Sequence, residues 1–211
     1  MSLNNALNVA EKENKPILIF LHTKWCSSCK DLIRELTKNK GLTETIENSF
    51  VAINFDAEFV EGLEILEQYS LKKSYPTTLI IDKSGQEIDH LCGWNLKEYL
   101  AFLNDVKNKK NTLSQLLFQF NSDKTNTDLA IMIARKYASQ SNHEKAIWYM
   151  TKALEDPKQS IIAENQFLLS LYYLNSQQLS SAEKYLSEAL HLDPNNERYI
   201  RFIKIIQEQK L

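Results

Sequence analysis

The sequence predicts an α/β domain built on a mixed central sheet flanked by helices, followed by an all-α domain of helical hairpins. Three observations predict it. In the first half, short apolar runs alternate with segments of helical spacing. Beyond the polar break Lys107-Asn-Lys-Lys-Asn111 no strand alternation remains, and apolar residues recur at three- and four-residue intervals. Within that second half one residue pattern returns at an offset of 36 residues.

Residues 3–13 place Leu3, Ala6, Leu7 and Ala10 on one side, a short amphipathic helix stopped by Asn14-Lys15-Pro16. The continuous apolar run at 17–22 is a strand of the kind buried on both faces. A helix from Cys26 to about Asn39 follows, ended by the glycine signal Lys40-Gly41, with a shorter helical segment at 42–48. Phe50-Val-Ala-Ile-Asn-Phe55 is the second strand, and Phe59, Leu63, Leu66 and Tyr69 mark a helix over 59–70. Thr77–Ile81 is a third strand. Asp82-Lys-Ser-Gly85 is a turn, Gln86–Cys92 a fourth strand, and 96–107 a helix capped by Asn95. Strands joined by helices imply a parallel portion of the sheet, and the tight turn adds an antiparallel hairpin.

Trp25-Cys26-Ser27-Ser28-Cys29-Lys30 lies between the first strand and its helix. A cysteine at a helix N-terminus meets unpaired N–H groups and the positive end of the macrodipole, which stabilise a thiolate. A second cysteine one turn on can close a disulfide with it and reopen by exchange. The same spacing is also half of a zinc site, which needs two further ligands. Cys92, His22, His90, His143 and His191 are the remaining candidates, none in a paired ligand spacing.

Composition narrows the function classes. The 211 residues suit one large domain or two small ones. Residues 1–108 carry 12 basic and 16 acidic side chains and residues 109–211 carry 13 and 11, so neither half is strongly charged. Neither has a basic stripe with interleaved aromatics, which argues against a nucleic-acid partner. No apolar stretch reaches the roughly 18 residues of a membrane span. Three cysteines do not make a disulfide scaffold, so they leave the redox compartment open. The expected location is cytoplasmic as the sequence stands, and periplasmic if a leader has been removed ahead of Leu3.

With the WCxxCK stretch heading a helix and Tyr75-Pro76-Thr77 stepping into a later strand, residues 1–108 resemble the thioredoxin-like family. The resemblance implies a thiol-disulfide oxidoreductase with Cys26 and Cys29 as the catalytic pair and no cofactor beyond their reversible disulfide. It implies that Cys26, nearer solvent, attacks, that Cys29, one turn deeper, resolves, and that Lys30 or Lys24 favours the thiolate by charge. It implies that Pro76 is cis, exposing the Tyr75 backbone to a substrate polypeptide, and that Trp25 presents an apolar contact surface beside the dithiol.

Two departures stand out. Ser27-Ser28 replaces the Gly-Pro of the family's reductases, and residues at those places tune the reduction potential. Phe20 and Ala52 occupy the places of a buried aspartate and its lysine partner, leaving water, His22 or Lys24 to handle the proton of Cys29. The likeness is therefore nearer to divergent bacterial thioredoxin-like and disulfide-reductase domains than to thioredoxin itself. His22 reads as a strand-edge histidine, Asp56 as a turn or helix cap, Cys92 as a buried small hydrophobe and Trp94 as a loop anchor.

In the second half, 113–120 reads as a connecting helix and 125–140, 143–155, 161–175, 179–191 and 196–209 as further helices. Tyr137, Ala146, Tyr149 and Ala153 return as Tyr173, Ala182, Tyr185 and Ala189, and Leu192-Asp-Pro-Asn-Asn196 forms a turn. This resembles the tetratricopeptide repeat, whose period is about 34 residues. The expected organisation is a thioredoxin-like domain at 1–108, a connecting segment at 109–124 and two repeats with a capping helix at 125–211. Such repeats bind a peptide or protein, or serve as scaffold. The expected partners are protein substrates with thiols or disulfides and a recycling redox partner. The alternative reading is a non-catalytic interaction module on a thioredoxin-like scaffold. Tyr172, Tyr173 and Trp148 are expected to be packing residues.

Overall fold

The structure is a computed structural model that describes residues 1–208. The chain divides into two compact units, Met1–Gln115 and one that begins at Leu116.

In the first unit, strand β1 (Ile17–His22) is central. It pairs in parallel with β2 (Val51–Asp56) and antiparallel with β3 (Thr77–Ile81), and β3 pairs antiparallel with β4 (Glu87–Cys92). The sheet order is β2-β1-β3-β4, mixed as the alternation of runs and the Asp82–Gly85 turn imply. Both faces of β1 are buried, which is why its sequence shows no polar alternation. Ile17, Ile19 and Leu21 face helices α1 (Leu3–Glu13) and α4 (Val60–Gln68). Leu18 and Phe20 face α2 (Ser27–Lys38), α3 (Lys40–Ser49) and α5 (Leu96–Lys107). Ala6 and Ala10 bring α1 close to the sheet, and the Asn95 side chain accepts from the Glu98 N–H to cap α5.

Two helices differ from the sequence reading, one in its boundary and one in its buried face. Gly41 does not end a helix; it lies in the first turn of α3. The break is made by Asn39, whose non-helical ψ of 86° interrupts the helix while its side chain accepts from the Leu42 N–H and donates to Glu35. An asparagine able to cap both ways outweighs the glycine signal. In α4 the buried face is Gly62, Ile65 and Leu66, whereas Phe59 and Leu63 are exposed. Gly62 sets this rotation, because a Cβ there would stand 2.4 Å from the Asp56 carbonyl oxygen.

The second unit is all-helical: α6 (Leu113–Ser122, which spans the boundary), α7 (Thr127–Ser139), α8 (His143–Leu154), the one-turn α9 (Pro157–Ser160), α10 (Ala163–Asn175), α11 (Leu179–Leu192) and α12 (Glu197–Glu208). Position 209 of the expected last helix, and 209–211 of the expected repeat domain, lie outside the described residues. The hairpins α7–α8 and α10–α11 repeat one another in detail. Ser141 and Gln177 both take positive φ, of 56° and 59°. In each turn the following N–H returns to the tyrosine carbonyl, Asn142 to Tyr137 at 2.8 Å and Gln178 to Tyr173 at 2.9 Å. Tyr137 stacks on Tyr149 and Tyr173 on Tyr185, with ring centroids 5.6 and 5.4 Å apart. Ala146, Ala153, Ala182 and Ala189 are fully buried where the helices meet. Tyr172 is a packing residue, but Trp148 is half exposed on α8, its ring edge-on to Tyr149. Among the described residues no helix is long and apolar enough to cross a membrane.

Candidate active site

Cys26 is the N-cap of α2 rather than its first residue. Its backbone is extended, so its sulfur turns back over the first turn and accepts the Cys29 N–H at 3.0 Å. The helix donor that stabilises a thiolate is therefore already aimed at this sulfur. Cys26 and Cys29 are joined by a disulfide with their Cα atoms 5.2 Å apart. Cys26 was expected nearer solvent. It is the more exposed of the two, but both are buried, at 5% and 1%. They share a core with Phe20, Leu32, Ile80 and Tyr99, against which Tyr75 and Trp94 pack.

Trp25 stands outside that core, 66% exposed. Its indole N–H donates to Glu58 Oε1 at 3.0 Å, and its ring meets Tyr75 edge-on at 6.0 Å. The Tyr75–Pro76 peptide bond is cis, and the Pro76 carbonyl accepts the Gly93 N–H at 2.7 Å. The Tyr75 phenol is held above its ordinary pKa by burial and then by the negative charges of Glu58 and Asp56. Asp56 ends β2, and its carboxylate caps the turn that follows by accepting the Glu58 N–H at 3.0 Å. That turn presents Glu58 to Trp25.

Ser27 and Lys30 are exposed and Ser28 is half-buried. The Lys24 ammonium lies 5.4 Å over the ring of Phe59. Phe20 is buried in the same core as the cysteines, and its ring stacks on His22 at 5.5 Å. Ala52, opposite Leu18 on β2, is exposed. Cys92 is half-buried at the end of β4, with its sulfur 3.3 Å from Thr77 Oγ1. Trp94 anchors its loop on Tyr99.

Three features escape sequence reasoning. Glu58 holds Trp25. Phe59 and Val60, 60% and 68% exposed, put apolar surface next to that turn. Thr23, just before the motif, buries a hydroxyl without a hydrogen-bond partner among the described residues. The run Asp56-Ala-Glu-Phe-Val60, acids followed at once by large apolar residues, is the only signal for the first two. Among the described residues no group of three or more His, Cys, Asp or Glu side chains is placed to hold a metal.

A family model described as a thioredoxin-like domain matches residues 3–107. A putative disulphide-isomerase from Bacteroides thetaiotaomicron is 33% identical over 51% of this chain and 86% of its own, with a TM-score of 0.44. A thioredoxin from Thermus thermophilus is 23% identical over 50% and 83%, with a TM-score of 0.44. The first TPR domain of the human RPAP3 protein is 18% identical over 50% and 83%, with a TM-score of 0.43. Mouse anterior gradient protein 3 is 36% identical over 45 residues, 21% of this chain, and the match spans 27% of that protein. The chain thus carries a thioredoxin-like domain with a disulfide-forming cysteine pair, followed by an all-helical bundle.

Proposed function

We propose that the protein is a thiol-disulfide oxidoreductase that acts on protein disulfides through Cys26 and Cys29. The observation that carries this reading is the Cys29 N–H directed at Cys26 Sγ across the first turn of a helix. That donor offsets the cost of a buried thiolate and makes Cys26 the attacking sulfur. In the reducing direction the Cys26 thiolate attacks a substrate disulfide. A mixed disulfide forms and one substrate thiolate leaves. Cys29, deprotonated, then attacks the Cys26 sulfur, closing the Cys26–Cys29 bond and releasing the second substrate thiolate. A recycling dithiol partner returns the pair to its reduced form, and the same steps in reverse oxidise a substrate.

Polypeptide substrates are supported by the exposed apolar groups around the motif, Trp25, Phe59 and Val60, with Tyr75 and Pro76 beside them. Ser27, Ser28 and Lys30 complete the contact surface. The assay is insulin reduction by the purified protein, with Cys26→Ser and Cys29→Ser as controls. Turnover abolished by Cys26→Ser supports the reading. No turnover by the native protein, with a Cys26 thiol pKa near the free value of about 8.5, overturns it.

The helical bundle at 125–211 we read as two tetratricopeptide-like repeats and a capping helix, joined by 109–124 to a thioredoxin-like domain at 1–108. The matched turns and tyrosine stacks of the two hairpins favour this, and with it a role in binding a peptide or protein partner.

A further inference from the structure

At the end of the sheet away from the dithiol lies a cleft of about 540 Å³, lined only by residues of the first unit. Pro16, ahead of β1, and Asp82, after β3, border it, whereas Cys26 follows the other end of β1. Six residues of strand separate the two ends, about 20 Å. One wall is apolar, formed by the half-buried Ile88 and the edges of the buried Phe50 and Val106. The rest is polar, with Asn14, Ser49 and Gln115, and its charge is mainly basic: Lys15, Lys83, Lys107 and Lys109 line the cleft against the single carboxylate of Asp82. That carboxylate is already engaged, accepting from the Ser84 N–H and hydroxyl and the Gln86 N–H. Lys15 pairs with Glu13, and Lys83 donates to Asn14. The ammonium groups of Lys107 and Lys109 have no ion pair among the described residues.

We propose that this cleft binds an amphipathic organic anion, its apolar or aromatic body on Phe50, Ile88 and Val106 and its carboxylate, sulfonate or phosphate among the lysines. Two unpaired ammonium groups beside an apolar wall form a site of positive potential that an anion of matching length neutralises. The volume is that of a small-molecule site, within the range of about 300–1,000 Å³. The proposal does not depend on the redox reading, since no residue of the dithiol site lines the cleft.

The test is fluorescence titration of the full chain with anilinonaphthalene sulfonate, with neutral N-phenylnaphthylamine as the uncharged control. The expected result is saturable binding of one sulfonate per chain, competed by decanoate, with no saturable binding of the neutral dye. Lys107→Glu/Lys109→Glu weakens binding by about tenfold or more, whereas the charge-matched control Lys38→Glu/Lys40→Glu leaves it unchanged. Circular dichroism verifies that each variant is folded. Equal loss in both variants, equal binding of the neutral dye, or absence of saturable binding overturns the proposal. So does binding to phosphatidylglycerol vesicles that decanoate fails to compete, which would make the surface a lipid contact instead.

Discussion

The indole N–H of Trp25 and the carboxylate of Glu58, 33 residues apart, meet at 3.0 Å on the rim of the dithiol site. The bond joins the loop before α2 to the turn after β2, so the aromatic that flanks Cys26 is held by an element the motif does not contain. Glu58→Ala should raise the KM for insulin by about threefold while kcat changes little, because an exposed bond of this kind contributes at most about 1 kcal/mol. Glu58→Gln, which keeps an acceptor, should restore most of it. Steady-state kinetics of the two variants decide the matter, and equal kinetics for Glu58→Ala and the native protein would remove Glu58 from the site.

The order of attack has its own signature. Cys29→Ser should accumulate a mixed disulfide between Cys26 and substrate, because the resolving thiol is gone. Non-reducing electrophoresis and mass spectrometry report the adduct. Adduct on Cys29 in a Cys26→Ser protein, and none in Cys29→Ser, would reverse the assigned roles.

Gly62→Ala tests the close approach of α4 to the end of β2. The added Cβ would sit 2.4 Å from the Asp56 carbonyl oxygen and 2.8 Å from the Ala57 Cα. Both are backbone atoms that cannot swing aside. A loss of about 2–4 kcal/mol in chemical denaturation is expected, with weakened insulin reduction because the same turn presents Glu58. A change below about 0.5 kcal/mol would show that the turn gives way freely.

Tyr99 gives the alkaline limb of stability a sign. Burial pushes its phenol up to about 12, against a smaller lowering by its contact with Thr78. The folded chain therefore keeps a proton that the unfolded chain releases near pH 10. The stabilisation is complete below pH 10 and is lost as pH rises from about 10 to 12, at about 1.4 kcal/mol per unit. Tyr99→Phe should flatten this part of the curve. Denaturant melts of the two proteins across that range measure it, and an unchanged slope would contradict it.

In the second unit, Ala146 and Ala182 stand at equivalent, fully buried positions of the two hairpins. Ala146→Leu and Ala182→Leu should each cost about 1–3 kcal/mol by overpacking, with similar values for the pair if the hairpins are true repeats. Thermal melts followed by circular dichroism compare them directly. A large loss in one and none in the other would argue against equivalence.

Much of this molecule is legible in its residues because local rules and tertiary context agree. β1 is buried on both faces and reads as an unbroken apolar run. Asn95 reads as a cap and caps. The offset of 36 residues reappears as the same turn, the same returning N–H and the same tyrosine stack. The two misreadings have separate causes. Gly41 looks like a stop, but a neighbouring asparagine that satisfies both helix ends makes the break. Phe59 and Leu63 look like a core face, but the approach of Gly62 to Asp56 rotates α4 and leaves them in solvent. Of the periodic set only Leu66 is buried, so a periodicity does not by itself show which of its members reach the core.

The sequence by itself determined where disulfide chemistry can occur: two cysteines lie one turn apart at a helix start. It also determined the division into an α/β half and an all-helical half, since both are written in short-range patterns. Only the tertiary structure decided what surrounds that chemistry. Glu58 reaching Trp25, an aromatic ring in the same core as the cysteines, and four lysines gathered at the far end of the sheet all join residues distant in sequence. Chain folding sets such distances through packing and close approach, and no local pattern encodes them.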